Sequence, residues 1–182
     1  DMLYASTVNF VSGAEVWRSG NGKSWNKVSS GGFGDKYNGR IFLVPDTNTM
    51  YAGTWNYKDS DNPGGELWRC SKCDGSDWVE VPNTKGFGSS ENRSIFPVEV
   101  PGNTLYAFTE NRTTGLQVWM AEDGQNFRKV SPDGFGDPSN YFPTGIALYD
   151  KKLFVGTGNW FANAGEVWMR EGFYYLPTIF KE

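Results

Sequence analysis

The chain has 182 residues, 38% hydrophobic, 16% aromatic and 21% charged, with 23 glycines, eight tryptophans and no histidine. A chain of this length buries roughly 70% of the surface it exposes when unfolded, so one core forms without disulfide or metal staples. A formal charge of −4 with 17 scattered basic residues excludes a phosphate-binding stripe, no apolar run reaches the roughly 20 residues that cross a bilayer, and the lack of histidine removes imidazole chemistry.

Taken in chain order, the first predicted strand carries Leu3-Tyr4-Ala5 and runs into Thr7-x-Asn9. A second carries Glu15-Val16-Trp17, a turn at Asn21-Gly22 leads to Trp25, and Gly32-Phe33-Gly34 is followed four residues on by Asn38. The same order then returns. Met50-Tyr51-Ala52, Thr54-x-Asn56, Glu66-Leu67-Trp68, Asp74-Gly75 with Trp78, and Gly86-Phe87-Gly88 with Asn92 make the second copy. Leu105-Tyr106-Ala107, Thr109-x-Asn111, Gln117-Val118-Trp119, Asp123-Gly124 with Phe127, and Gly134-Phe135-Gly136 with Asn140 make the third. Leu153-Phe154-Val155, Thr157-x-Asn159, Glu166-Val167-Trp168 and a contracted Glu171-Gly172-Phe173 begin a fourth, and the tryptophans stand 51, 51 and 49 residues apart.

Between these marks lie short runs rich in Val, Ile and aromatics, bounded by Gly, Asn, Asp and Pro, which is the pattern of strands; no window carries a helical period. Each repeat supplies up to four antiparallel strands, a (such as Arg40 to Val44), b (Thr49 to Thr54), c (Glu66 to Cys70) and d (Trp78 to Pro82). A β-rich repeat near 50 residues buries both sheet faces by radial packing, so the expectation is an all-β propeller of about four blades in one domain, with repeats near 1–38, 39–92, 93–140 and 141–182. The four Trp of the c strands are expected in equivalent buried positions. The first repeat lacks strand a and the last ends in Phe173-Tyr174-Tyr175-Leu176. An incomplete ring, completed by another chain or by further residues, or a homo-oligomer, is the alternative, and Asp1 at the start suggests processing.

The Ser-bearing strands followed by hairpins, Ser19-Gly20-Asn21-Gly22-Lys23-Ser24-Trp25 and Ser71-Lys72-Cys73-Asp74-Gly75-Ser76-Asp77-Trp78, resemble degenerate Asp-boxes of sialidase-type propellers. The whole repeat resembles extracellular bacterial and archaeal propeller repeats of unassigned function. That resemblance implies fold rather than activity, since Asp-boxes are structural turns.

Strand direction places the ends of b and d on one rim, so Asn9, Asn56, Asn111 and Asn159 should gather there with Asn38, Asn92 and Asn140. Closing of tight turns is one role for them. The other is a repeated, multivalent carbohydrate site, with Trp55 and Trp160 as stacking platforms and Tyr37 and Tyr141 nearby. On that basis the expectation is a non-enzymatic, lectin-like binding protein with a glycan or a surface protein as partner. A structural interaction module and a sialidase-like glycosidase are the alternatives; for the latter Arg40 and Arg93 begin successive a strands but Tyr141 takes the third place. No catalytic residue, metal or cofactor is assigned, and calcium on Asp35, Asp137, Asp59 and Asp61 is a secondary reading. Cys70 and Cys73, at a c–d hairpin tip, are expected to form a local disulfide in a secreted or cell-surface protein. Asn92-Arg93-Ser94 and Asn111-Arg112-Thr113 are glycosylation sequons if the source is eukaryotic.

Overall fold

The computed structural model describes residues 2–46, 48–100, 104–150, 152–159, 165–170 and 177–179. Among these the protein is all-β, with fifteen strands, three single 3₁₀ turns and no α-helix. Four consecutive antiparallel meanders follow the sequence repeat. The first holds β1 (Leu3–Ser6), β2 (Val16–Ser19) and β3 (Asn26–Lys27). The second holds β4 (Asn38–Pro45), β5 (Met50–Asn56), β6 (Leu67–Cys70) and β7 (Val79–Glu80). The third holds β8 (Ser94–Val100), β9 (Thr104–Glu110), β10 (Val118–Ala121) and β11 (Arg128–Lys129), and the fourth β12 (Phe142–Tyr149), β13 (Lys152–Gly158), β14 (Val167–Arg170) and β15 (Pro177–Ile179). The tail at 171–176 lies outside the described residues.

The outer strands are shorter than the apolar runs suggest. Only Val79 and Glu80 pair fully on β6, with the Val81 N–H still donating to Leu67 O, because Pro82 has no N–H to continue the ladder. The inner strands β4 and β12 carry irregular registers at Asn38/Arg40 and Pro143/Gly145, near their starts. The second and third meanders touch edge to edge through Trp55 and Ser94.

Three cores lie between successive meanders, and this stacks them radially. Val16, Val28, Ile41 and Ala52 fill the first, with Tyr4 and Trp68 against them. Tyr51, Leu67, Val81, Ile95 and Leu105 fill the second, and Tyr106, Phe108, Leu116, Met120, Leu153 and Val155 the third. Alternate residues of one strand thus serve two cores, the only way a narrow sheet buries both faces. Each fully buried ring such as Tyr106 or Phe108 contributes on the order of 2–3 kcal/mol.

Cys70 and Cys73 form a disulfide three residues apart at the β6–β7 tip, as expected. The tip is anchored across the first meander gap, where the Arg18 guanidinium donates to the Cys73 carbonyl at 3.2 Å. No helix among the described residues is long and apolar enough to cross a membrane.

Candidate functional site

The asparagines of the rim come together, but they face inward. Asn38 Nδ2 donates to Gly32 O at 3.0 Å and to Glu66 Oε2 at 2.9 Å, while its Oδ1 accepts from Asn56 Nδ2 at 3.1 Å. Asn92 repeats this with Gly86 O, Gln117 Oε1 and Asn111 Nδ2, each at 2.9 Å. Asn140 donates to Gly134 O at 3.1 Å and Glu166 Oε2 at 2.8 Å, and accepts from Thr157 Oγ1 at 2.7 Å. Trp68, Trp119 and Trp168 donate Nε1–H to the same acceptors two residues back, at 3.0, 3.1 and 3.0 Å. Only an acceptor oxygen is needed there, which explains why Gln117 replaces Glu.

The linker that brings each Asn also brings a Phe. Phe33 stacks on Trp68 at 4.8 Å, Phe87 on Trp119 at 4.5 Å and Phe135 on Trp168 at 4.6 Å. These phenylalanines sit at φ 56°, 46° and 56°, a left-handed conformation costing about 1–2 kcal/mol that the stacked ring offsets. Gly13, where an added Cβ would come 2.5 Å from the Gly32 backbone nitrogen, lets the linker lie against the preceding meander. Trp168 is buried, whereas Trp17, Trp68 and Trp119 are half-buried; over Trp68 and Trp119 the cover is a linker one ring thick.

The expected amide binding surface is therefore corrected. Asn38, Asn56, Asn92, Asn111, Asn140 and Asn159 are buried, and the amides of the first five are spent inside the joints, so they present nothing to a saccharide. Asn9 is partly exposed and caps its own turn through Ser12. The sequon residues Asn92 and Asn111 are closed to glycosylation in this fold for the same reason. Trp160 lies outside the described residues. Asp35 accepts from Asn56 and Tyr37 N–H, Asp137 from Ser139 N–H, and no cluster of three His, Cys, Asp or Glu fit for a metal occurs among the described residues.

The middle residue of each Thr-x-Asn behaves differently. Val8, Trp55, Glu110 and Gly158 hold this place, with Arg40, Ser94 and Phe142 paired opposite the last three. Around Trp55 gathers an open aromatic and basic cluster. Phe10 meets Trp55 edge-on at 5.7 Å and Tyr57 at 5.3 Å, Tyr37 meets Tyr57 at 5.4 Å, and the Arg40 guanidinium lies 5.6 Å over Trp55. Gly39 admits this packing, since a Cβ there would fall 2.5 Å from the Phe10 ring. Beside it Glu110, with only 12% of its side chain exposed, accepts from Ser94 Oγ at 3.0 Å and from Arg112 Nε at 3.0 Å. Arg93 reaches Asp59 at 3.9 Å, and Arg112 lies over Tyr141 at 5.5 Å. Trp55 and Ser94 pair across the edge between meanders, so the two clusters adjoin. Glu110, Ser94 and Arg112 escaped the sequence reading, which followed repeating residues; the signal was the one position in Thr-x-Asn that does not repeat.

No family model and no curated protein sequence matches the chain. Solved structures do. Bacteroides ovatus GH43B of a xyloglucan utilisation locus is 13% identical with a TM-score of 0.60, covering 98% of this chain and 38% of its own. The Hadza microbial sialidase Hz136 is 13% identical, TM-score 0.60, over 98% of this chain and 44% of its own. An α-L-arabinofuranosidase of Clostridium thermocellum is 14% identical, TM-score 0.52, over 97% and 68%. The chain thus spans less than half the length of the first two. The expectation of a non-enzymatic protein is corrected: glycoside hydrolases use this fold, and since most glycosidases cleave with paired carboxylates, the lack of histidine does not argue against catalysis. The chain has the β-propeller fold that these carbohydrate-active enzymes share.

Proposed function

We propose that the chain is a carbohydrate-active propeller module of the glycoside hydrolase kind, its meanders serving as four successive blades with the substrate at the rim between the second and third. The observation that carries this reading is the break in the repeat: Trp55 and Glu110 occupy one equivalent place and Arg40 and Ser94 the place paired opposite, each with different chemistry, as an active site within a repeating frame requires. Trp55 offers its face to sugar C–H groups and Arg40 binds hydroxyl or carboxylate substituents. Glu110, held by Ser94 and Arg112, supplies one carboxylate, and Asp59, tied in through Arg93, supplies the second. The disulfide supports an oxidising, extracellular setting, where glycans are at hand.

The test is a panel of chromogenic β-galactosides, β-xylosides, α-L-arabinofuranosides and sialosides. Turnover of at least one, falling 100-fold or more in Glu110→Gln and with a raised KM in Trp55→Ala, is expected. Saccharide binding without turnover, no response to any sugar, or turnover indifferent to Glu110→Gln overturns the proposal.

A further inference from the structure

The hairpin tip of the second meander is tied to the first meander through atoms of its own disulfide ring. Arg18, one residue past Trp17 in β2, donates from Nη1 to Cys73 O at 3.2 Å and to Lys72 O at 3.4 Å. Further along the tip, Gly75 lies against the Val28 backbone, and Trp78 Nε1 donates to Val28 O at 2.7 Å. The tip of the third meander meets the second with one difference. Arg69, one residue past Trp68, donates there to the Gln125 side chain at 3.1 Å, on a tip without cysteine. The two cysteines of the chain thus stand where the tie across the gap uses backbone carbonyls.

Cys73 sits at φ 50°, a left-handed conformation that L-residues adopt at a steric cost. Asp77 Oδ2 accepts from Ser71 and Lys72 N–H at 2.8 and 2.6 Å, which fixes the start of the ring, and the bond to Cys70 fixes its end. Both cysteines are buried against Met50, with Tyr4, Leu43 and Trp78 packed on them. A reductant therefore reaches the sulfurs only when the tip lifts, and reduction captures the lifted tip. We propose that the Cys70–Cys73 bond is a redox latch on the outer end of the joint between the first and second meanders. Reduction by a dithiol frees Cys73 to leave the left-handed region, takes its carbonyl from Arg18 and releases the tip from Val28. One thiolate of the reductant attacks a cysteine sulfur, breaking the S–S bond and forming a mixed disulfide. Its second thiolate displaces that sulfur, so the reductant leaves as a cyclic disulfide and its two electrons and two protons pass to the protein thiols. The inner part of the joint, built on Val16, Ile41 and Ala52 with Phe33 stacked on Trp68, stays closed. The inference is independent of the proposed enzymatic role.

The test compares amide exchange of the oxidised chain with that of the chain held in dithiothreitol. Exchange over Val16–Ser19, Asn26–Val28 and residues 71–78 should speed at least tenfold on reduction, while Thr104–Glu110 and Val118–Ala121 stay within twofold. A Cys70→Ser, Cys73→Ser double variant should match the reduced chain and ignore dithiothreitol. Arg18→Met in the oxidised chain should speed exchange over Asn26–Val28 at least threefold with the disulfide intact. Acceleration that spreads equally over all four meanders, or that stops at residues 70–73, overturns the proposal. So does a bond that dithiothreitol leaves unreduced in the folded chain, a double variant that still responds to it, or an Arg18→Met chain as protected as its parent.

Discussion

Thr54 and Asn56 flank Trp55, and Thr109 and Asn111 flank Glu110, yet the flanking and the middle residues belong to different regions of the molecule. The flanking residues point into the joints, where Thr54 Oγ1 accepts from Glu66 N–H at 2.8 Å and Asn56 closes on Asn38. The middle residues, one step along an alternating strand, point to the open rim. The joints repeat because each solves the same problem, satisfying buried polar atoms where one meander meets the next. The rim does not repeat, and its middle residues meet different neighbours in each copy, Phe10 at Trp55, Ser94 and Arg112 at Glu110, and Phe142 at Gly158.

Substitutions that enlarge this contrast come first. Trp119→Ala removes the ring stacked on Phe87 and the donor to Gln117, and should cost about 3–5 kcal/mol in urea denaturation. Trp17→Ala, where no ring stacks among the described residues, should cost less than half as much; equal losses would show that the stacked Phe adds little to the joint. Asn92→Ala leaves Asn111 Nδ2 without its acceptor and takes one of two donors from Gly86 O and from Gln117 Oε1, so about 2–3 kcal/mol is expected. Trp55→Ala and Glu110→Gln, by contrast, should stay within about 1 kcal/mol of the parent chain, because Phe10 and Arg40 beside Trp55 are open to water and the Gln is an isostere that keeps an acceptor oxygen for Ser94 and Arg112. A large stability loss from either would move the rim into the frame.

The smallest effect lies on the opposite face. The Asn126 and Gln125 backbone N–H groups hold the Asp123 carboxylate down at about 2, below its ordinary 3.8. Asn21 builds the same turn in the first repeat without a titrating group, accepting from Lys23 and Ser24 N–H at 2.8 and 2.9 Å. A depressed carboxylate contributes stability that is complete above its unfolded value and is lost as pH falls through its folded one. Asp123→Asn should therefore be slightly less stable than the parent at pH 6 and equal to it once pH falls below about 2. A difference that persists at low pH would place the role of Asp123 in packing.

Part of the site was legible and part was not. The gathering of Asn38 with Asn56 followed from strand direction alone. Their burial did not, because what covers Glu66 is an amide 28 residues earlier in the chain, delivered by a linker whose Phe must adopt a left-handed backbone to reach Trp68. Glu110 was passed over for the opposite reason. It stands at a position where the repeat is silent, and only its pairing with Ser94 and its placement beside Trp55 give it a setting.

The amino-acid sequence by itself determined the all-β class, the interval near 50 residues and the equivalence of the four Glu/Gln-x-Trp strands. Alternation and turn residues act over a few neighbours and are written directly in the chain. The tertiary structure alone decided which polar groups turn inward and which remain at the rim. Burial is a property of what lies across a gap, and radial packing sets that cover from segments distant in sequence.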